Sequence, residues 1–361
     1  MKKLVIASLI AFAAAGFCLK GTASALAAAA PTPTPVAKNT PPAIAATPTP
    51  TPLDNPNEVI KVENELVNLD VRVVDRNNRP VNNLSQKDFT IMEDGVPQRI
   101  EFFTQSEVPT NYGLVIDNSG SLRQQLDKVI EAGKVFVATN RPDDETLVIR
   151  FVGREKIEIV QNFTANKQDL NDALDNLYIE GGQTAIRDAV YLAVQNIDDY
   201  EKSKKAEDRK RRALILVSDG EDRNSYYNDK QLLDLLRESE VQIFVIGFLD
   251  DLSKDGGFIS KSPRDKSKAF LDMLATETGG KAYYPSSPAE LPALAKEISS
   301  ELRSQYSIGY VPSNDRKDGG YRSIKIQVTD GPGAAHRIPI SRAGRTADGS
   351  PQPGTPTKPV K

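Results

Sequence analysis

The chain has 361 residues but only one cysteine (Cys18), one histidine (His336) and no tryptophan. Each scarcity excludes something. A disulfide framework needs a pair of cysteines, and a structural zinc site needs several Cys or His ligands. A Cys–His or Ser–His–Asp nucleophile needs a histidine beside the chemistry, whereas His336 lies far downstream, close to Pro339. Chemistry or metal binding would therefore fall to carboxylates and hydroxyls.

Long apolar runs are scarce as well. The one at 4–19 follows Lys2 and Lys3 and leads to small residues ending in Ala23-Ser24-Ala25-Leu26-Ala27. A charged start, a short apolar core and an A-x-A end form the pattern of a secretory signal peptide, here 1–27. The run is shorter than the roughly 20 apolar residues of a spanning helix. A lipoprotein anchor would use Cys18, but bulky Phe17 stands where a small residue is expected. The expectation is export to the periplasm, envelope or exterior, with membrane contact only through the transient leader. Cleavage after Ala25 or Ala27 removes Cys18 and leaves a thiol-free chain.

Positive charge is not in excess either. The net charge is −3, and loss of Lys2, Lys3 and Lys20 leaves 43 basic against 49 acidic residues. No nucleic-acid partner is expected. The basic cluster at 202–212 contains Glu207 and Asp208 and reads as a solvated connector between a helix and a strand.

Proline concentrates in one place. Residues 31–56 hold nine prolines and six threonines with only Lys38 and Asp54 charged, so 28–57 reads as a disordered, extended tether. The stretch 343–361 has similar composition and reads as a disordered tail. Between them, 58–108 alternates apolar and polar residues, has turn chemistry at 75–80, and places Asp94-Gly95 where a hairpin would turn. The segment 304–342 returns to strand patterning. These flanks hold too few strands to stand singly, so they are expected to pair into one small β-sandwich-like domain.

The segment 109–303 has another rhythm. Buried-type apolar runs at 112–116, 213–217 and 241–246 alternate with helical spacing at 122–137, 185–197, 231–236, 269–276 and 289–302. That predicts an α/β fold, a Rossmann-like doubly wound and mainly parallel sheet, inserted in or flanked by the β-domain. The polar stretch 250–268 reads as a loop.

Ligands of open α/β sheets bind at the carboxyl ends of the strands. After the first buried run comes Asp117-Asn118-Ser119-Gly120-Ser121, with Gly120 expected to bend the loop. After 213–217 comes Ser218-Asp219-Gly220, and before the helix at 185 sits Gly181-Gly182-Gln183-Thr184. Taken singly, D-x-S-x-S and Asp-Gly are common in turns and Thr184 fits a helix cap. Together, Asp117, Ser119, Ser121, Thr184 and Asp219 form an oxygen-only donor set suited to Mg2+ or Mn2+ rather than zinc. Asp188, one turn into the helix, reads either as a support for this set or as a surface acid. Tyr226-Tyr227 is a candidate rim, and Tyr283-Tyr284 reads as strand packing.

With these motifs the segment 109–303 resembles the von Willebrand factor type A domains, also found as integrin I domains. Their metal ion-dependent adhesion site (MIDAS) combines a D-x-S-x-S loop, a Thr in a second loop and an Asp in a third. The five residues here match that pattern without departure. The flanks 66–103 and 305–328 look like those of secreted bacterial type A proteins of an acidobacterial-type subfamily. The resemblance implies a non-enzymatic binding or adhesion module in which a divalent ion engages an Asp or Glu carboxylate of a protein ligand. The alternatives are a structural envelope protein with a non-essential metal site and a metal-dependent hydrolase. For the hydrolase no general base is in place.

Overall fold

The structure is a computed structural model that describes residues 66–347 apart from 106–107, 206–207, 209, 251, 256–260 and 332–335. The expected leader, the tether and Cys18 lie outside the described residues. The alternation near 65–73 forms β1 (Val67–Val74), with Val67, Leu69, Val71 and Val73 buried. β2 (Phe89–Glu93) and β3 (Val96–Gln98) are joined by Asp94 and Gly95, both with positive φ, as a two-residue hairpin turn of the I′ type requires. β4 (Ile100–Thr104) follows.

The α/β layer runs β5 (Thr110–Asp117), α1 (Leu126–Thr139), β6 (Glu145–Phe151), β7 (Ile157–Thr164), α2 (Lys167–Asp175), α3 (Ile186–Lys202) and β8 (Arg211–Ser218). It continues through α4 (Asp229–Glu238), β9 (Gln242–Gly247), α5 (Pro263–Thr278), β10 (Lys281–Tyr283) and α6 (Leu291–Arg303). The strands lie in the order β10-β9-β8-β5-β6-β7, parallel except for β7 at one edge. Every residue of β5, β8 and β9 is buried, which is why these strands read as continuous apolar runs rather than alternating ones. On one face Leu114, Ile116 and Ile215 pack with Val129 and Phe136 of α1 and Ile298 and Leu302 of α6. On the other, Val115, Leu214, Leu216 and Val245 pack with α3, α4 and α5 through Val190, Ile197, Leu232 and Leu271.

The last strands are β11 (Tyr306–Tyr310), β12 (Tyr321–Val328), β13 (Ile338–Ile340) and β14 (Gly344–Thr346). They combine with the first four into two sheets of mixed origin, β13-β1-β11-β4 and β14-β12-β2-β3. One apolar cluster spans both sheets, with Val71, Tyr306 and Ile308 on one side and Phe89, Ile91 and Ile324 on the other. Buried ionic contacts join these strands to the α/β layer. Arg72 of β1 pairs with Glu301 of α6. Arg211, opening β8, donates to Asp70 of β1 at 2.9 Å, to Ser307 at 2.8 Å and to the Leu302 carbonyl.

Three expectations change. The tail does not begin at 343: β14 pairs with β12, and Arg345 is buried, donating to Glu93 at 3.0 Å. Composition alone could not reveal that tertiary partner. The stretch 250–268 is not all loop, because Ser262 caps α5 by accepting from the Asp265 amide and Pro263 takes the first helical position. Helix α1 starts at Leu126 rather than 122, after a short 3-10 turn over Gly120–Leu122. Among the described residues, no helix is long and apolar enough to cross a membrane.

Candidate metal site

From β5 the chain crosses to β6 on one side, and later to β8 on the other. The carboxyl ends of β5 and β8 therefore flank the point where the strand order reverses, and the connecting loops there diverge to leave a crevice. Asp117 is the last residue of β5 and Asp219 directly follows β8.

Asp117 is fully buried. One carboxylate oxygen accepts the Ser119 amide at 2.9 Å and the other accepts the Ser218 hydroxyl at 2.8 Å. Burial, followed by the nearby charge of Asp219, pushes its pKa up to about 6. Asp219 is also raised by burial, against the lowering effect of the Glu221 amide, which donates at 2.9 Å, and of the Ser121 hydroxyl. The Ser119 and Ser121 hydroxyls lie 2.8 Å apart. Four of the five expected residues thus form one hydrogen-bonded group.

Thr184 reaches the same end of the sheet through its backbone. Its carbonyl accepts the Arg223 and Asn224 amides at 2.9 and 3.2 Å, tying its loop to the one after Asp219. It does not cap α3: the cap position is Ala185, without a side-chain bond, and Asp222 instead accepts the Arg187 amide at 3.0 Å. Its buried hydroxyl is thus not committed to the helix end. The first loop is fixed by Asn118, whose amide donates to the Phe151 carbonyl at 2.8 Å and whose side chain donates to the Tyr178 carbonyl at 2.8 Å.

Two glycines differ from each other. Gly220 has φ +78°, and a Cβ there would lie 2.9 Å from Leu271. Gly120 is not in the left-handed region and has open space around its Cα, so the bend expected of it does not depend on glycine. Gly220→Ala is expected to destabilise the protein by about 1–3 kcal/mol and Gly120→Ala by no more than about 0.5 kcal/mol. Urea unfolding of both variants checks this.

One residue here was not legible in advance, and another reads two ways in the sequence. Ser218 holds Asp117, but its role depends on β5 and β8 being neighbours. Asp188 is no surface acid. It is buried, and its carboxylate accepts the Tyr226 and Tyr227 amides at 2.8–2.9 Å. It braces the turn beyond Asp219. Tyr227 stacks on Tyr191 with ring centroids 3.7 Å apart, leaving Tyr226 exposed. Tyr283 is buried in β10, as strand packing requires, while Tyr284 donates to Asp272 at 2.7 Å.

The donor set fits a hard divalent cation. Two buried carboxylates share the site: the charge of Asp219 adds to burial in raising the proton affinity of Asp117, and Asp219 is itself raised by burial, with the charge of Arg223 acting against it. Hydroxyl oxygens complete the group. Among the described residues no cluster of three or more His, Cys, Asp or Glu is placed to hold a metal, so a cation here depends on Ser and Thr oxygens as well as the two aspartates. Beside Ser121 and Asp219 opens a groove of about 360 Å³. A second cavity, of about 390 Å³, lies beside Gly181–Gln183 and the turn at 153–156.

A doubly wound sheet with carboxylate and hydroxyl oxygens gathered at its switch point defines a class of domain. The chain belongs to the von Willebrand factor type A domain family, whose model matches residues 113–297. An uncharacterized protein of Synechocystis is 29% identical over 186 residues, covering 51% of this chain and 39% of that protein. Inter-alpha-trypsin inhibitor heavy chain H4 of Sus scrofa is 27% identical over 218 residues, covering 58% of this chain and 22% of that protein. Both matches take in well under half of the relative's length. Among solved structures, proximal thread matrix protein 1 from the mussel byssus, with a zinc-occupied MIDAS motif, is 18% identical with a TM-score of 0.43, covering 55% of this chain and 49% of that one.

Proposed function

We propose that this protein is an exported, metal-dependent binding module, acting without turnover, that takes an Asp or Glu carboxylate of a protein partner. The observation that carries this reading is the gathering of Asp117, Ser119, Ser121 and Asp219 into one hydrogen-bonded group at the switch point. Thr184 is tied to the same loops. These are the residues that would hold Mg2+ or Mn2+, which, when bound, offers an electrophilic position for an incoming carboxylate oxygen. Ser218 and the Ser119 amide fix the Asp117 carboxylate in place. The Glu221 amide does the same for Asp219, and Asp222 and Asp188 hold the surrounding turn. Pre-set ligands of this kind limit the ordering cost of binding. The charged start and A-x-A end of 1–27 support export.

Capture from an envelope extract tests the reading. The wild-type chain is expected to retain a distinct protein in Mg2+ and to release it in EDTA, and Asp117→Ala and Thr184→Ala are expected to retain none. Identical recovery with and without the cation, or by wild type and Asp117→Ala alike, would refute it.

A further inference from the structure

The loop that carries Asp219 has no regular structure of its own. It leaves β8 through Gly220, and no strand or helix begins before α4 at Asp229. Without a cation, the charges of Asp117 and Asp219 oppose each other across the site. Something must hold the loop in place against that repulsion, and the ties come from the first turn of α3.

Arg187 is where they meet. Its backbone amide donates to one Asp222 oxygen at 3.0 Å, and its guanidinium meets the other oxygen at 3.0 Å. One residue thus grips both oxygens of one carboxylate. The same guanidinium donates to Asp229, the first residue of α4, at 2.5 Å and lies over the Phe270 ring of α5, 4.9 Å from its centroid. The Arg187 and Asp222 side chains are only 23% and 8% exposed, so solvent screens this pair less than a surface pair. Asp222 passes the hold onward. Its carboxylate accepts from the Ser225 amide and hydroxyl, and that hydroxyl accepts the Asp188 amide at 3.3 Å. Arg187 stands three residues after Thr184 and Asp222 three after Asp219. The clasp therefore joins two loops of the site from outside the donor set.

We infer that Arg187 is a positioning residue for the metal site, holding the 219–225 loop against α3 through Asp222 and Asp229 so that Asp219 stays within reach of a shared cation. This rests on the reading of Asp117, Ser119, Ser121, Thr184 and Asp219 as cation ligands.

The sign of the effect separates positioning from charge. A positive side chain near a cation site repels the cation, so by charge alone its removal would tighten Mg2+ binding. Positioning demands the reverse, because a loosened loop must be ordered each time the ion binds.

Calorimetric titration of the full chain with Mg2+ near neutral pH, together with amide exchange in EDTA, tests the inference. Arg187→Gln is expected to weaken Mg2+ binding about tenfold. In EDTA it is expected to speed exchange of the Arg223 and Asn224 amides, which donate to the Thr184 carbonyl. Arg187→Lys keeps the charge but loses the planar fork, and is expected to fall between wild type and Arg187→Gln in both measurements. Lys230→Gln removes an equal charge from α4 outside the clasp, where Lys230 pairs with Asp234, and is expected not to weaken Mg2+ binding. Wild-type or tighter Mg2+ binding by Arg187→Gln would overturn the inference and leave the metal site standing. Wild-type affinity and exchange in Arg187→Lys would do the same should Arg187→Gln fail to fold. Equal weakening by Lys230→Gln would assign the effect to charge on α4 and also overturn it. Absence of Mg2+ binding by the wild type would overturn both the inference and the reading of the site.

Discussion

Mg2+ is expected to raise the melting temperature of the wild-type protein by about 5–10 °C at a hundredfold excess over its Kd, with a rise that is large near neutral pH and small near pH 5. The pH dependence follows from Asp117. Its carboxyl is pushed up to about 6 by burial and by the charge of Asp219, against about 3.9 in an unfolded chain. The folded state then holds its proton more tightly than the unfolded state does. Stability of the cation-free protein therefore falls as pH rises from about 4 through about 6, by about 3 kcal/mol in all. A cation held by the ionised carboxylates reverses that loss, so its effect grows over the same interval and levels off above it. Asp117→Asn removes both the buried charge and the ligand. Above about pH 6 it is expected to match or exceed the cation-free wild type in stability and to show no Mg2+ shift. Thermal melts of both proteins across this pH range, with Mg2+ and with EDTA, make the comparison. A Mg2+ shift that persists undiminished in Asp117→Asn, or is independent of pH, would count against Asp117 as a ligand.

The donors of this site were legible because each follows a buried parallel strand or precedes a helix. The strands announced themselves as uncharged apolar runs, and the position of a loop after such a run is enough to place Asp117 and Asp219 at one end of the sheet. What was not legible is whatever depends on which elements touch. Ser218 becomes a partner of Asp117 only because β8 lies beside β5. Asp188 reads equally as a support or as a surface acid, and only the 225–227 turn folding over it decides between the two. Helix α2 lacks a strong apolar stripe and buries only Leu170, Ala173 and Leu174. The antiparallel pairing of β1 with β11 links Val67 to Tyr310 across the whole α/β layer, and no local pattern encodes a partner that distant. β14 was hidden for the same reason: three residues in a Gly/Pro-rich stretch become a strand because β12 offers an edge and Glu93 offers Arg345 a buried partner.

Glu301→Ala is expected to be the most damaging single replacement far from the site. Glu301 sits near the end of α6, where it pairs with Arg72 of β1 and accepts from Lys281 at 2.8 Å. Arg72 is buried, and that burial holds its guanidinium below its ordinary pKa. Removing the carboxylate leaves a buried cation without its ion-pair partner, the charge of Glu297 still acting on it from beyond ion-pair distance, a change that costs about 3–5 kcal/mol. In a chain of this size that is a fall of about 10 °C or more in melting temperature. The cost comes from the stranded charge rather than from the lost attraction, so removing both charges should repair most of it. The double variant Arg72→Met/Glu301→Leu is expected to recover at least half of the loss, with Lys281 keeping Glu297 as its partner at 2.7 Å. Neither variant should alter the Mg2+ shift. Arg211, in the same junction, opens β8, while Asp219 follows its far end, so strand length alone separates junction from site by about 25 Å. Equal losses in single and double variants would show that the pair contributes net attraction. A Mg2+ shift lost along with the ion pair would show instead that the sandwich and the metal site are energetically coupled through α6 and the sheet.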